Sequence, residues 1–193
     1  DTQGVAHDDD NWFITQTDVL WKIPVTQDLR SVTATSPGVI RRALGFYPAL
    51  AGFEHTGDSV VYTFNGVDYL LVPLEGPSRP ATIAIFHCDT LGYMTHFTLP
   101  SQVGDAGWCA VDAAGVVYSS LQHASSLTSY SLNWALFQSS GAVQLTARPS
   151  EAMRDEQGLL LDLTTMQGGE FSPRDGLLYL VSGFYSDSNA LAD

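Results

Sequence analysis

The chain has 193 residues, 45% hydrophobic and 15% charged, and its 21 carboxylates against eight lysines and arginines give a formal net charge of −13. This is the composition of a folded chain able to bury a core, and it excludes a disordered region. The negative charge repels phosphate backbones and anionic lipid surfaces, and no apolar run approaches the ~18–20 residues that cross a bilayer, so nucleic acid and membrane insertion are both set aside.

In chain order, the dominant elements are short runs rich in Val, Ile, Tyr, Phe and Thr, punctuated by Gly, Asp, Asn and Pro, which reads as all-β. Short helices are expected only at residues 39–44 and 150–157. One unit recurs. It opens with a glycine and a short apolar strand, passes a polar turn, and continues into a second strand with a central aromatic residue. The first copy is Gly4-Val5-Ala6-His7, a turn through residues 8–11, then Trp12-Phe13-Ile14-Thr15. The second runs from His55-Thr56-Gly57-Asp58 to Tyr62, turns at Asn65-Gly66, and returns through Tyr69 to Pro73. The third begins Gly107-Trp108-Cys109, turns at Gly115, and continues through Tyr118 to Ser120. The fourth begins Gln167-Gly168-Gly169-Glu170-Phe171, turns through residues 173–176, and continues through Tyr179 to Ser182. Third and fourth strands are expected at 19–25 in the first copy, at 82–88 and 95–99 in the second, and at 127–132 and 159–163 in the third. Residues 133–157 read as an excursion.

Second strands starting roughly fifty residues apart match the ~40–50 residues of one four-stranded propeller blade. The first two strands of each copy are nearly continuous in apolar residues, which suits sheets packed on both faces rather than a sandwich with one wet face. The expected fold is therefore an all-β propeller of four-stranded antiparallel blades at residues 3–50, 54–100, 106–165 and 167–193, the last incomplete. About three and a half blades leave a sheet edge uncovered, so the remaining blades are expected from further sequence or from a second copy.

The units Gln3-Gly4-Val5-Ala6 with Trp12-Phe13, and Gly168-Gly169-Glu170-Phe171-Ser172-Pro173 with Asp175-Gly176-Leu177-Leu178-Tyr179, resemble repeats of the broad six- and seven-bladed propeller superfamily. That superfamily contains gluconolactonase-like, strictosidine-synthase-like and streptogramin-lyase-like proteins. The segment from Gly52 to Asp58, followed by Val72-Pro73-Leu74-Glu75-Gly76, is similar to uncharacterised members. The resemblance implies a divalent cation near the channel mouth in the enzymatic members, held in part by a glutamate of a Glu-Gly pair. Here Gln3 precedes Gly4, and a neutral amide is a poor ligand for a hard cation.

Candidate chemistry gathers at the same mouth. His55 and Asp58 enter the innermost strand of the second copy and Glu75 closes the next, so antiparallel pairing can bring all three together, as ligands for a divalent ion such as Ca or Mg or as an acid/base pair. A ring of polar residues ahead of the inner-strand glycines (Gln3, His55, Asp105 and Gln167) would surround the axis there. The run Asp8-Asp9-Asp10-Asn11 lacks the glycine and distal glutamate of an EF-hand and reads as an acidic turn. His87, His96 and His123 have no ligand spacing. The serine pairs 119–120 and 139–140 have no GxSxG context. Cys88 and Cys109 lack CxxC spacing and read as buried free thiols, with a disulfide as the alternative. The leading reading is a non-catalytic recognition or scaffold propeller that binds a protein or small-molecule ligand at the channel mouth. The alternatives are a metal-dependent lactonase-type hydrolase or lyase, and the accessory propeller region of a larger enzyme.

Overall fold

The computed structural model describes residues 2–100, 102 and 106–183. They form four antiparallel sheets taken up one after another along the chain. The first contains β1 (Thr2–His7), β2 (Asn11–Gln16), β3 (Val19–Pro24) and β4 (Ile40–Ala43) in that order. In the second, β5 (His55–Thr56) and β6 (Val60–Phe64) both pair with β7 (Val67–Glu75), followed by β8 (Thr82–His87) and β9 (Gly92–Thr98). The third contains β10 (Ala110–Val111), β11 (Val116–Ser119) and β12 (Ser126–Leu132), with β13 (Leu145–Ala147) and β14 (Glu151–Ala152) both on the far side of β12. The fourth is the hairpin β15 (Met166–Phe171) and β16 (Leu178–Ser182). The fold is all-β, as the residue pattern predicts.

Alternation along the strands explains why two apolar faces appear in one sheet. Leu70, Leu74, Ala84 and Phe86 of the second sheet pack with Ala6, Phe13 and Leu20 of the first. Their neighbours Tyr69, Leu71, Ile83 and Ile85 point the other way, onto Val111, Val117 and Tyr130 of the third. A third cluster joins Trp108 and Ala110 to Met166, Phe171 and Leu180. Each fully buried Leu, Ile or Phe contributes about 1.5–3 kcal/mol, so these three interfaces are what hold the sheets together. Val5 on β1, and Leu177, Tyr179 and Val181 at the last described hairpin, are exposed.

Three local readings are corrected. Most of residues 39–44 is strand, because β4 pairs with β3 in the register Trp21↔Arg41 and the Arg41 guanidinium lies over the Trp21 ring; a single 3₁₀ turn (Leu44–Phe46) starts only at Leu44. Residues 150–157 hold the short strand β14 and a turn instead of a helix, and residues 159–163 make two isolated bridges instead of a strand. The fourth-strand position of the third sheet is taken by β13 and β14. Within the expected excursion lies the α-helix α1 (Trp134–Ser140), capped by the Asn133 side chain accepting from the Leu136 amide and ended by Gly141 at φ 73°. It inserts Trp134 and Phe137 against Tyr62 and Tyr69, with Trp134 4.6 Å from Tyr62 and Phe137 5.4 Å from Tyr69 between ring centres.

Candidate functional site

The first strands of the sheets lie side by side, β1 next to β6, β6 next to β10, and β10 next to β15. Around the junction of β5 and β6 the chain bonds to the neighbouring sheets as well as to β7, to which the Gly57 amide still donates at Pro73 O, 2.9 Å. The Thr56 amide donates to Thr17 O at 2.8 Å, and Thr15 Oγ1 donates to Gly57 O at 2.9 Å, which ties the second sheet to the first. The Asp58 amide donates to Gly107 O at 2.9 Å and the Cys109 amide to Asp58 O at 3.2 Å, a parallel bridge that ties it to the third.

The Asp58 side chain extends these ties to the fourth sheet. Its Oδ1 accepts from the Val5 amide and its Oδ2 from the Gly169 amide, both at 3.3 Å. Glycine is required where the strands come this close. A Cβ on Gly4 would stand 2.5 Å from Asp58 Cα, and one on Gly168 would stand 2.7 Å from Asp58 Oδ2. Burial pushes the Asp58 carboxyl up to about 7, against the opposing pull of the Gly169 and Val5 amides. The charge of Glu170 adds to the rise.

His55 and Glu75 stand directly opposite each other across β5 and β7. With Glu54, Gly76, Pro77 and Ser78 they line an open cleft of about 430 Å³. Glu75 also reaches inward, its Oε1 3.6 Å from where a Cβ on Gly107 would lie. The three residues singled out as a metal set are thus divided, two at a cleft and Asp58 turned to the backbone amides at the centre. Among the described residues, no three His, Cys, Asp or Glu side chains are grouped to hold a metal ion. Of the expected ring, Gln3 and Gln167 occupy matching irregularities, each falling in a register shift just before Gly4 and Gly168. Asp105 lies outside the described residues.

The opposite side of the sheets carries a feature the sequence pattern did not single out. Asp8, Asp9 and Asp10 from the first sheet and Asp68 and Asp89 from the second line one cleft of about 510 Å³. It adjoins, through Val61 and Thr63, a well of about 540 Å³ lined by Tyr62, Val111, Phe171 and Pro173. Asp8 itself serves its turn, accepting from the Asp10 and Asn11 amides at 2.8 and 2.6 Å, as the acidic-turn reading anticipates. The spacing of Asp68 and Asp89 gives no hint of the convergence, which comes from β7 and β8 being neighbours.

The Cys88 and Cys109 thiols are buried, and burial raises both well above the ordinary thiol range, so neither is a thiolate at neutral pH. Ser119 Oγ donates to Trp108 O, and Ser120 Oγ accepts from Trp108 Nε1 while donating to Leu121 O. Both hydroxyls are engaged in holding Trp108. His96 pairs with the Tyr93 hydroxyl at 2.6 Å, and His87 lies 3.7 Å from Asp89. The sequence matches no protein-family model, and a search of curated proteins finds no match. No helix among the described residues is long and apolar enough to cross a membrane.

Proposed function

We propose that the four sheets are successive blades of a β-propeller and that the chain is a recognition or scaffold module, with its ligand seated at the mouth lined by His55 and Glu75. The observation that carries this reading is the way reactive groups are used. Around the centre, Asp58, Thr15, Thr56, Ser119 and Ser120 are each hydrogen-bonded to backbone or to Trp108, which makes them fastenings of the fold. His55 and Glu75 line an open cleft of a few hundred Å³, the size range of small-ligand sites. Sheets joined through their first strands, with a sheet buried on both faces between two others, support the propeller reading.

Two measurements test it. Amide shifts in a fragment screen are expected to cluster at His55, Thr56 and residues 75–78, and to vanish in a His55→Ala, Glu75→Gln double variant that melts like the parent. Incubation with a panel of lactones and esters in the presence of calcium or magnesium is expected to give no turnover. Turnover by the parent that is lost in Glu75→Gln would overturn the non-catalytic reading in favour of a lactonase-type enzyme.

A further inference from the structure

We propose that a groove on the side of the sheets away from His55 and Glu75 docks a basic segment of a partner protein. A large apolar side chain of the partner enters the well lined by Tyr62, Val111 and Phe171, and its lysines or arginines lie beside it in the aspartate cleft. The topology places the groove. The Asp58–Trp108 bridge is parallel, so the first strands of the second and third sheets run in the same direction there. Each first strand is followed by a turn into the second. All four of these turns contribute, through residues 8–10, Gly66, residues 112–114 and residues 172–176. Val61 and Thr63 of β6 line both the cleft and the well, which makes the two one continuous surface of mixed character. At ~3.3 Å per residue, Asp68 near one end of β7 lies roughly 20 Å from Glu75 at the other, so this groove is separate from the His55–Glu75 cleft.

The chemistry of the lining selects the occupant. The well, at about 540 Å³, has the size of a site that takes a large apolar group, and Tyr62 and Phe171 are only half-buried in its wall. In the adjoining cleft Asp9, Asp10 and Asp89 are exposed, and Asp8 and Asp68 are half-buried. Among the described residues, none of these five carboxylates is ion-paired with a lysine or arginine. Lys22 donates to the backbone O of Asp89 at 3.1 Å, and His87 lies 3.7 Å from the Asp89 carboxylate. Carboxylates gathered from two sheets attract cations and repel phosphate and anionic lipid. A second copy of the chain, at a formal −13, is repelled in the same way. A polyamine would use the cleft alone, and an apolar small molecule the well alone. A peptide carrying both kinds of side chain a few residues apart complements the whole groove. Nothing in this reading depends on a ligand at His55 and Glu75.

The test titrates the whole chain with a dye-labelled, end-blocked peptide of three lysines, a glycine and a phenylalanine, read by fluorescence anisotropy at low salt and mapped by amide shifts. Micromolar binding is expected, with shifts at residues 8–11, 61–68 and 111–114. Asp9→Asn, Asp10→Asn and Asp89→Asn together should weaken it about tenfold or more. Glu151→Gln, Glu156→Gln and Asp162→Asn remove the same charge from exposed positions elsewhere and should leave it within about twofold. A probe with alanine for phenylalanine should bind about fivefold or more weakly. The His55→Ala, Glu75→Gln double variant should bind like the parent. Equal weakening by the two triple variants would show attraction to bulk charge and overturn the proposal. So would an alanine probe or spermine that binds as tightly as the full peptide, shifts confined to other residues, or no binding. If the cleft triple variant melts differently from the parent, the probe series and the shift map on the parent decide alone.

Discussion

Replacing Gly4 by alanine probes the closest approach in the molecule. The added Cβ would lie 2.5 Å from Asp58 Cα and 2.3 Å from its Oδ1, where 3.4 Å is the start of ordinary contact. A backbone atom cannot swing aside, so β1 must withdraw by about 1 Å. That movement takes the Val5–Asp58 bond from 3.3 Å to beyond bonding range. Losing such a bond costs about 1–2 kcal/mol, and overpacking adds about 1–3 kcal/mol. The total of roughly 2–5 kcal/mol corresponds to a fall in melting temperature of about 10 °C for a chain of this size. Gly45→Ala is the control, since nothing lies within 4 Å of its Cβ position and its φ is not positive. Urea titration and a thermal scan of both variants beside the parent give the measurement. A Gly4→Ala protein that melts within a degree of the parent would refute the close-packed centre on which this reasoning rests.

Two other expectations follow from burial. Cys88 and Cys109 should resist a thiol-specific reagent at pH 8 in the folded chain and react fully in denaturant; rapid labelling of either in the native state would contradict their placement. Trp134→Ala should cost about 3–5 kcal/mol, as deletion of a buried aromatic does. Trp134→Phe should cost about 1–3 kcal/mol, because Gly115 O loses the indole donor now at 2.8 Å. Chemical denaturation distinguishes the two, and a Trp134→Phe protein as stable as the parent would show that the hydrogen bond contributes nothing.

The strands were readable because their residues carry the instructions locally. Trp12, Tyr69, Tyr118 and Tyr179 each fall on the second strand of a sheet, and Asn65-Gly66 turns with φ of 49° and 74°, the positive pair that such a dipeptide favours. Residues 40–43 depart from the helical expectation because cross-strand pairing with β3 decides their conformation, and no local window contains Trp21. The helix at Trp134–Ser140 was missed despite a usable signal, an asparagine cap before it and a glycine after it. The candidate site divides in the same way. That His55 faces Glu75 follows from antiparallel order, whereas the inward turn of Asp58 does not. It depends on Val5 and Gly169, which lie 53 and 111 positions away and meet only when the sheets assemble.

The uncovered apolar strip of Leu177, Tyr179 and Val181 has a consequence for how the chain behaves at the bench. Molecules carrying a formal charge of −13 hold one another off at low ionic strength, and that repulsion shields the strip from chance encounters. Salt at about 1 M shortens the reach of the repulsion to ~3 Å and leaves the greasy surfaces free to touch. Solutions of this chain should therefore cloud as sodium chloride is added, the reverse of a protein held together by exposed ion pairs.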